Sequence, residues 1–331
     1  MYPLNPDVYS EDVKQEPNRA GFGRGLKAAG ETNNSIVALC ADLTESTQMH
    51  LFRDAFPKRF IEIGVAEQNL VTVASGMARA GKIPFVSSYA AFSPGRNWEQ
   101  IRTTIALNNQ PVKVVGSHAG VSVGPDGATH QMLEDIALMR VLPNMVVVAP
   151  ADSIEAEKAT KAIAENGKPT YLRLAREKVP IISTEESPFE IGKAYVLKGG
   201  KDITLFGTGT MTYQLLIAAQ KLAEHGIDAE VVHVPTIKPL DEEVILASAQ
   251  KTGRVITAEE AQINGGFGSA IAEYLSEHLP MPLKRLGMRD RFGESGVANE
   301  LLTHFRLDGA SMAEDIKTFT ETMPRYHQEN S

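Results

Sequence analysis

Short apolar runs alternate with segments of helical periodicity over the first 175 residues of the chain. Continuous apolar runs are typical of strands buried on both faces, and their alternation with helices predicts a mostly parallel sheet. The predicted strands are SIVALC (35–40), FIEIG (60–64), PFVSSY (84–89), VKVVGS (112–117), MVVVAP (145–150) and TYLRLA (170–175). The predicted helices lie near 18–30, 66–80, 97–108, 131–140 and 152–165.

The polar and proline-containing stretch 176–192 interrupts this pattern and predicts a linker. The alternation then resumes, and each new strand is followed by a helical segment. Because 331 residues exceed the usual size of one hydrophobic core, we expect two α/β domains, 1–185 and a smaller 186–331. The predicted strands of the second domain are ITLFGTG (203–209), AEVVHV (229–234), RVITAEE (254–260) and LKRLGM (283–288).

The composition narrows the class of protein. Hydrophobic residues make up 43% of the chain and charged residues 22%, which is typical of a soluble globular protein. The formal net charge of −8 argues against a nucleic-acid-binding surface, which needs an excess of Lys and Arg. The single cysteine, Cys40, excludes an intrachain disulfide and ends an apolar run, so it is predicted to be buried. No stretch reaches the roughly 18–20 apolar residues of a membrane span and the N-terminus lacks an apolar signal region, so we expect a cytoplasmic protein.

Polar and aromatic residues follow the predicted strands of the first domain. In open parallel sheets, ligands bind at the edge formed by the carboxyl ends of the strands. We therefore expect a functional site at this edge. The residues placed there by the strand pattern are Asp42, Glu67, Tyr89, Phe92, His118 and Arg176.

Two features of this edge allow more than one interpretation. Glu67 lies near the start of a helix, where it is either a carboxylate facing the helix dipole or a buried carboxylate that holds a proton. The glycine-rich segment 117–131 carries His118, Asp126 and His130, and its glycines allow a ligand to approach the backbone closely. A plain surface loop or a metal site are the alternatives, but the segment lacks a short metal-ligand spacing.

Several motifs in order resemble the C-terminal half of transketolases. CADLTEST (40–47), IEIGVAEQNL (61–70), VGPDGATHQ (123–131) and LPNMVVVAPAD (142–152) are similar to the pyrimidine-binding domain of that family. EEAQINGGFGSAIAE (259–273) is similar to its C-terminal domain. The resemblance implies a pyrimidine-binding thiamine-diphosphate fold with a mostly parallel sheet, followed by a smaller α/β domain.

The resemblance also implies which residues bind thiamine diphosphate. Glu67 matches the glutamate that hydrogen-bonds the cofactor's pyrimidine ring and so promotes removal of the thiazolium proton. Phe92, with Tyr89 beside it, matches the aromatic wall on which the pyrimidine stacks. Asp42 matches an aspartate near the cofactor, and Arg96 resembles a residue of the deoxyxylulose-phosphate synthases.

Further positions match those that contact the sugar phosphate. Guanidinium groups pair bidentately with phosphate, so two arginines with a hydroxyl and an imidazole form a suitable site. His118 and His130 join Glu67 as the implied catalytic residues. The implied substrate-binding residues are Arg19, Ser46, His118, Asp126, His130 and Arg176.

The sequence contains no Gly-Asp-Gly segment, through which the family binds the diphosphate and its divalent metal. The resemblance therefore implies one subunit of a split transketolase, which transfers a two-carbon ketol unit between phosphorylated sugars. An N-terminal partner subunit would share the thiamine diphosphate and hold most of the Mg or Ca site. Two copies of each subunit are expected, and neither nucleic acid nor membrane is an expected partner.

Three other functions stay open. The chain resembles 1-deoxyxylulose-5-phosphate synthase at Arg96, although His118 after the fourth strand favours transketolase. The β subunit of a 2-oxo acid dehydrogenase would share the glutamate, but DGATHQ (126–131) is not expected there. A non-catalytic regulatory protein would have no reason to keep both Glu67 and the phosphate-binding set.

Overall fold

The structure is a computed structural model that describes residues 2–326, so the outermost ends of both predicted domains lie outside the described residues. The structure contains strands, α-helices and three short segments of other helical types. Two of these segments are 3₁₀ helices, at Pro57–Arg59 and Val121–Asp126, and the third is a π-helix at Ile101–Ala106. The strands are β1 (Gln15–Pro17), β2 (Ile36–Cys40), β3 (Phe60–Glu62), β4 (Ile83–Tyr89), β5 (Lys113–Ser117), β6 (Val146–Val148), β7 (Thr170–Arg173), β8 (Lys178–Pro180), β9 (Tyr195–Lys198), β10 (Ile203–Gly207), β11 (Ala229–His233), β12 (Thr236–Lys238), β13 (Val255–Gln262) and β14 (Leu283–Met288). The α-helices are α1 (Asn18–Thr32), α2 (His50–Ala55), α3 (Glu67–Arg79), α4 (Trp98–Gln100), α5 (Asp135–Arg140), α6 (Ser153–Glu165), α7 (Met211–Glu224), α8 (Glu242–Thr252), α9 (Phe267–His278), α10 (Ala298–His304) and α11 (Gly309–Thr322).

The first sheet contains all six strands that the sequence predicts for the first half. Its order is β12-β6-β7-β5-β4-β2-β3, and every pairing except that of β12 with β6 is parallel. The residues of β2, β5, β6 and β7 are all buried, as expected of strands covered on both faces. The predicted α/β class with a mostly parallel sheet is confirmed.

The second sheet has the order β14-β13-β10-β11-β9. Its pairings are parallel except for that of β9 with β11. The four predicted strands correspond to β10, β11, β13 and β14, whereas the short edge strands β9 and β12 were not predicted. Strand β12 comes from the second half of the chain but joins the edge of the first sheet, so the two halves share one sheet.

The stretch 176–192 is not simply a linker, so that prediction is wrong in part. Strand β8 lies within it and pairs antiparallel with β1. Ile181 and Ile182 are buried, and Asn5 donates hydrogen bonds to the carbonyl oxygens of both. The partner strand lies more than 150 residues earlier, which a local pattern of polar and proline residues does not reveal. The helix predicted over 131–140 begins only at Asp135, because the preceding residues belong to the glycine-rich loop.

Buried polar contacts connect the two halves of the chain. Arg173 Nε donates to Asp135 Oδ2 at 2.8 Å, and its Nη2 donates to the carbonyl oxygen of Glu260 at 2.7 Å. His233 Nε2 lies 2.8 Å from Glu155 Oε2, and both side chains are buried. Charged groups are costly to bury without partners, so these contacts favour one arrangement of the halves. In residues 2–326, none of the helices combines the length and the apolarity needed to cross a bilayer.

Candidate active site

The predicted site lies at the carboxyl ends of β3, β2, β4 and β5, which are neighbours in the first sheet. The chain leaves β2 for β3 on one side and returns to β4 on the other side. A reversal of this kind opens a crevice between the loops of adjacent strands, where ligands bind in open α/β sheets. The sequence thus places its polar and aromatic residues at the edge where open α/β sheets bind ligands.

Glu67 is the first residue of α3, and its side chain is only 2% exposed. The turn between β3 and α3 contains Gly64 at φ 75°, a conformation that glycine adopts without strain. Arg96 Nη1 lies 2.8 Å from Glu67 Oε2, and the Arg96 side chain is half exposed. Glu67 is therefore neither an exposed helix cap nor an unpaired carboxylate: it is buried and paired with a cation that can reach solvent.

A hydrogen-bond network that the sequence did not indicate fixes the start of α3. Asn97 Nδ2 donates to the carbonyl oxygen of Glu67 at 2.8 Å and to Ser93 Oγ at 3.1 Å. Asn97 and Ser93 are fully buried. Neither residue belongs to a recognisable motif. Only their closeness to Arg96 in the sequence would have suggested that they belong to the site.

Four rings line the centre of the site. The Tyr89 and His118 rings stack with centroids 3.9 Å apart, and Tyr89 and Phe92 lie nearly parallel at 6.2 Å. His130 meets the Phe92 ring edge-on at 5.3 Å. The Arg96 guanidinium lies 4.9 Å from the centre of the Phe92 ring, within the range of a cation–π contact. The structure thus brings together the predicted aromatic wall, both predicted histidines and Arg96.

His118 is held in its neutral form. Burial lowers the pKa of His118 to about 3, and Arg19, Arg176 and His130 lower it in the same direction. Ser117 Oγ lies 2.8 Å from His118 Nδ1 and fixes the ring from one side. A neutral imidazole can donate or accept a hydrogen bond at its other nitrogen, which suits contact with a sugar hydroxyl.

The two predicted phosphate-binding arginines are neighbours. Arg19 Nε donates to the carbonyl oxygen of Arg176 at 3.2 Å, and Arg19 Nη1 donates to the carbonyl oxygen of Ser46. Arg176 Nη1 donates to the carbonyl oxygen of Val123. Burial lowers the pKa of Arg19, as expected for a cation in a partly desolvated position. Both arginines also lower the pKa of His118, which indicates a cationic region beside the four rings.

Asp126 and Asp42 lie at the margin of the site. Asp126 Oδ1 is 3.7 Å from Arg176 Nη1, so it belongs to the arginine group. Asp42 is exposed at φ 59°, and its backbone N–H donates to Glu62 Oε1 at 2.8 Å. Glu62 also accepts from the N–H of Gly64, so it ties together the loops after β2 and β3. Within residues 2–326, no hydrogen bond or ion pair joins the Asp42 side chain to the other predicted site residues.

The neutral state of His118 predicts a pH-dependent stability. Its folded pKa of about 3 lies below its ordinary value of 6.5, so between these values the unfolded chain binds more protons than the folded chain. The free energy of unfolding should therefore fall as the pH is lowered from 6.5 towards 3, by up to about 1.4 kcal/mol per pH unit from this group. His118→Asn tolerates the left-handed backbone at φ 57° and removes the titration, so it should flatten this dependence in urea unfolding experiments.

The exposed His225 provides the matched control substitution, His225→Asn. Equal slopes for the wild-type chain and His118→Asn between pH 6.5 and 4.5 would contradict the assignment of a neutral, buried His118.

Comparison with known proteins decides the family. The family profile described as "Transketolase, pyrimidine binding domain" matches residues 15–181, and "Transketolase, C-terminal domain" matches 192–312. The chain belongs to the transketolase family. Within it, the chain corresponds to a C-terminal section, which confirms the resemblance read from the motifs.

Relatives of this transketolase chain cover nearly its whole length. A putative transketolase C-terminal section from Methanocaldococcus jannaschii is 46% identical over 90% of this chain and 94% of its own. The 6-deoxy-6-sulfo-D-fructose transketolase subunit SqwH from a Clostridium species is 42% identical over 88% of this chain and 90% of its own. A solved structure described as a split gene transketolase, inactive beta4 tetramer, is 43% identical with a TM-score of 0.87, and covers 93% of this chain and 99% of its own.

The residues of this transketolase chain fit one part of thiamine diphosphate. Glu67 is a buried carboxylate, and Arg96 connects it to the Phe92 ring by pairing with the carboxylate and lying 4.9 Å from the ring centre. This set of groups suits a flat heterocycle with a ring nitrogen. Asn97 Oδ1 is buried without a hydrogen-bond partner among residues 2–326, so an acceptor is left unused near Arg96. The same residues hold no group of three or more His, Cys, Asp or Glu side chains that could bind a metal ion. The site therefore suits the pyrimidine end of the cofactor.

Proposed function

We propose that this chain is the C-terminal subunit of a thiamine-diphosphate-dependent transketolase, which transfers a two-carbon ketol unit from a phosphorylated ketose to an aldose. The observation that carries the proposal is the position of buried Glu67 and the Tyr89–Phe92 wall beside the Arg19–Arg176 pair. A pyrimidine-binding surface and an anion-binding surface thereby lie at one sheet edge. The order of the family's motifs supports the same conclusion.

The chain's own residues would hold the pyrimidine end of the cofactor. Phe92 and Tyr89 would stack against the ring, and Glu67 would share a proton with its ring nitrogen. Thiamine diphosphate, when bound, supplies a thiazolium carbon that can attack the sugar carbonyl once its proton has been removed. Arg96 pairs with only one of the two Glu67 carboxylate oxygens, Oε2, so Oε1 would be the atom for this contact with the ring nitrogen.

The arginine pair would bind the anionic end of the sugar. Among the described residues Arg19 forms no ion pair, and Arg176 has only long contacts with Glu177 and Asp126, at 3.6 and 3.7 Å, so both guanidinium groups keep N–H donors for an anion. The relative named for 6-deoxy-6-sulfo-D-fructose acts on a sugar with an anionic sulfonate end, in keeping with an anion site here. Neutral His118 and half-buried His130 would then contact the sugar hydroxyls, with Ser46 and Asp126 at the phosphate end.

We propose that a separate subunit supplies the diphosphate and Mg or Ca ligands, in keeping with the lack of a Gly-Asp-Gly segment in residues 1–331. The names of the relatives, which are subunits or sections of transketolases, support this division. The solved relative described as a beta4 tetramer supports self-association of this type of chain. We propose a complex with two copies of each subunit.

A synthase-like activity is the second candidate. The contact between Arg96 and Glu67 is the specific observation that favours it, because Arg96 resembles a position of the deoxyxylulose-phosphate synthases. Such an enzyme would accept pyruvate as the donor and release its carboxyl group as carbon dioxide, whereas a transketolase requires a ketose.

Reconstitution tests the function and its partner requirement. The purified chain alone should bind thiamine diphosphate poorly and show no ketol transfer, and activity should appear on mixing with a transketolase N-terminal subunit that carries the Gly-Asp-Gly motif. The assay offers xylulose 5-phosphate with ribose 5-phosphate, and in parallel pyruvate with glyceraldehyde 3-phosphate. Turnover of pyruvate would favour the synthase, robust turnover by the isolated chain would exclude the split enzyme, and inactivity of every mixture would favour a regulatory protein.

A further inference from the structure

The glycine-rich loop (120–131) is held by residues from the second half of the chain. Its ends follow β5 and precede α5 in the first half, but its centre lies against β13 and the segment 290–297. Two groups of contacts join the loop to these segments, one through Glu260 and the other through Gln131. Neither residue belongs to the predicted catalytic or binding set.

Glu260 lies in β13 and is 2% exposed. Its Oε1 accepts a hydrogen bond from the backbone N–H of Ser122 at 2.5 Å, and its Oε2 accepts one from Thr210 Oγ1 at 3.2 Å. Gly120, at φ 91°, passes so close that a Cβ there would lie 2.4 Å from the Glu260 carboxylate. The side chain thus fixes the first turn of the loop from the side of the second sheet. Burial raises the pKa of Glu260, which agrees with its enclosure.

Gln131 ends the loop and is 4% exposed. Its Nε2 lies within hydrogen-bond distance of three carbonyl oxygens, at 3.1 Å from Val121, 3.2 Å from Gly124 and 2.9 Å from Glu294. Two of these carbonyls belong to the loop and the third belongs to the second half. An amide provides two protons, so the three contacts share them. Gln131 therefore both closes the loop on itself and attaches it to segment 290–297.

The loop carries the parts of the site that would meet substrate. His130 precedes Gln131 directly, and Asp126 lies at the tip next to Arg176. The carbonyl oxygen of Val123 accepts a hydrogen bond from Arg176 Nη1, so the backbone of the loop also orients that guanidinium. A small displacement of the loop would move a histidine, a carboxylate and an arginine together.

We propose that Glu260 and Gln131 are positioning residues through which the second half of the chain determines the conformation of the glycine-rich loop and hence the affinity for sugar substrate. This inference rests on the proposed function for its kinetic consequence. The structural part, that these two side chains order the loop, stands on the contacts alone. It gives the C-terminal domain a role at the site although its own residues would not contact the substrate.

Matched substitutions at Glu260 test the proposal in the reconstituted enzyme. Glu260→Met keeps the length of the side chain but leaves the Ser122 N–H without an acceptor, whereas Glu260→Gln keeps that acceptor. We expect Glu260→Met to raise the KM for the phosphorylated ketose about tenfold, the scale of one lost hydrogen bond to a charged group, with kcat changed less than about twofold. Glu260→Gln should stay within about threefold of wild type in both constants.

Hydrogen–deuterium exchange of the chain provides a readout that does not depend on activity. Peptides covering 120–131 should exchange faster in Glu260→Met and in Gln131→Met, while those covering β10 and β13 keep their wild-type protection. Gln131→Met changes a residue of the loop itself and removes its hydrogen bonds to the three carbonyl oxygens. It therefore provides an independent test if Glu260→Met does not fold. The two substitutions act on one loop, and their combined effect on KM should be less than the product of the single effects.

Unchanged exchange in 120–131 together with an unchanged KM would overturn the proposal. Faster exchange throughout β10 and β13, with kcat falling as far as KM rises, would also overturn it, because Glu260 would then merely stabilise the core. If the variants exchange faster only in 120–131 while the wild-type complex itself shows no ketol transfer, the positioning role would be supported and the proposed function contradicted.

Discussion

Glu67→Gln is expected to lower kcat of the reconstituted enzyme by roughly 10²–10⁴, the usual scale for a general acid–base group. The side chain is buried beside the aromatic wall, where an amide keeps the shape of the carboxylate but cannot exchange a proton with a ring nitrogen. Glu67→Ala, which removes the contact entirely, should have an effect of the same order. Folding should change little in Glu67→Gln, because the half-exposed Arg96 can turn to water when its partner loses its charge.

The chemical step can be followed separately from turnover. Exchange of the proton on the cofactor's thiazolium carbon, measured by quenched-flow NMR, should slow in parallel with kcat in the Glu67 variants. Glu99→Gln is the matched control, since Glu99 is an exposed carboxylate on the neighbouring helix α4. If the exchange rate in Glu67→Gln equalled that of wild type, Glu67 would be only a buried helix-start carboxylate, worth about 0.3–1 kcal/mol of stability.

Arg19→Ala and Arg176→Ala should each raise the KM for phosphorylated sugars by roughly ten- to a hundredfold. Loss of a charge-assisted hydrogen bond typically costs about 1.5–3 kcal/mol, and each arginine would provide at least one to the phosphate. Affinity for thiamine diphosphate should remain nearly unchanged, because neither guanidinium contacts Glu67, Tyr89 or Phe92 through a hydrogen bond or ion pair.

The comparison of phosphorylated with unphosphorylated sugars makes this test specific. Only the phosphorylated substrates should lose affinity, and Arg79→Ala, at the exposed far end of α3, should leave both kinds of substrate unaffected. Equal losses for both kinds would show that the arginines support the fold of the site and do not bind phosphate. This control matters most for Arg176→Ala, since Arg176 also donates a hydrogen bond to the carbonyl oxygen of Val123 and so supports the loop.

The sheet edge was predictable because its information is local. A buried parallel strand is a continuous apolar run, and the residue that follows it lies at the carboxyl edge whichever strands are its neighbours. Glu67, Tyr89 and His118 could therefore be placed at one edge from the sequence. Their roles remain predictions, as does the domain boundary near residue 185.

The partners of these residues were not predictable in the same way. The pairing of Glu67 with Arg96 spans 29 positions and depends on the path of the loop after β4. Asn97 is an ordinary polar residue in the sequence, and only burial against Glu67 distinguishes it. Glu260 lies 138 positions from Ser122, so nothing short of the assembled fold connects them. Short-range patterns define elements, whereas side-chain contacts follow from how those elements meet.

Strand β12 has a consequence for dividing the protein into pieces. A fragment ending near residue 185 would lack this strand, and β6 would become the outermost strand of the first sheet with its N–H and C=O groups open on one side. Such an edge is a template for pairing with another molecule, and Val146–Val148 is an uncharged, β-branched run that suits it. By pairing with β6, strand β12 from the other half therefore protects this edge from aggregation. The first half alone would be prone to aggregate, although it contains all the predicted site residues.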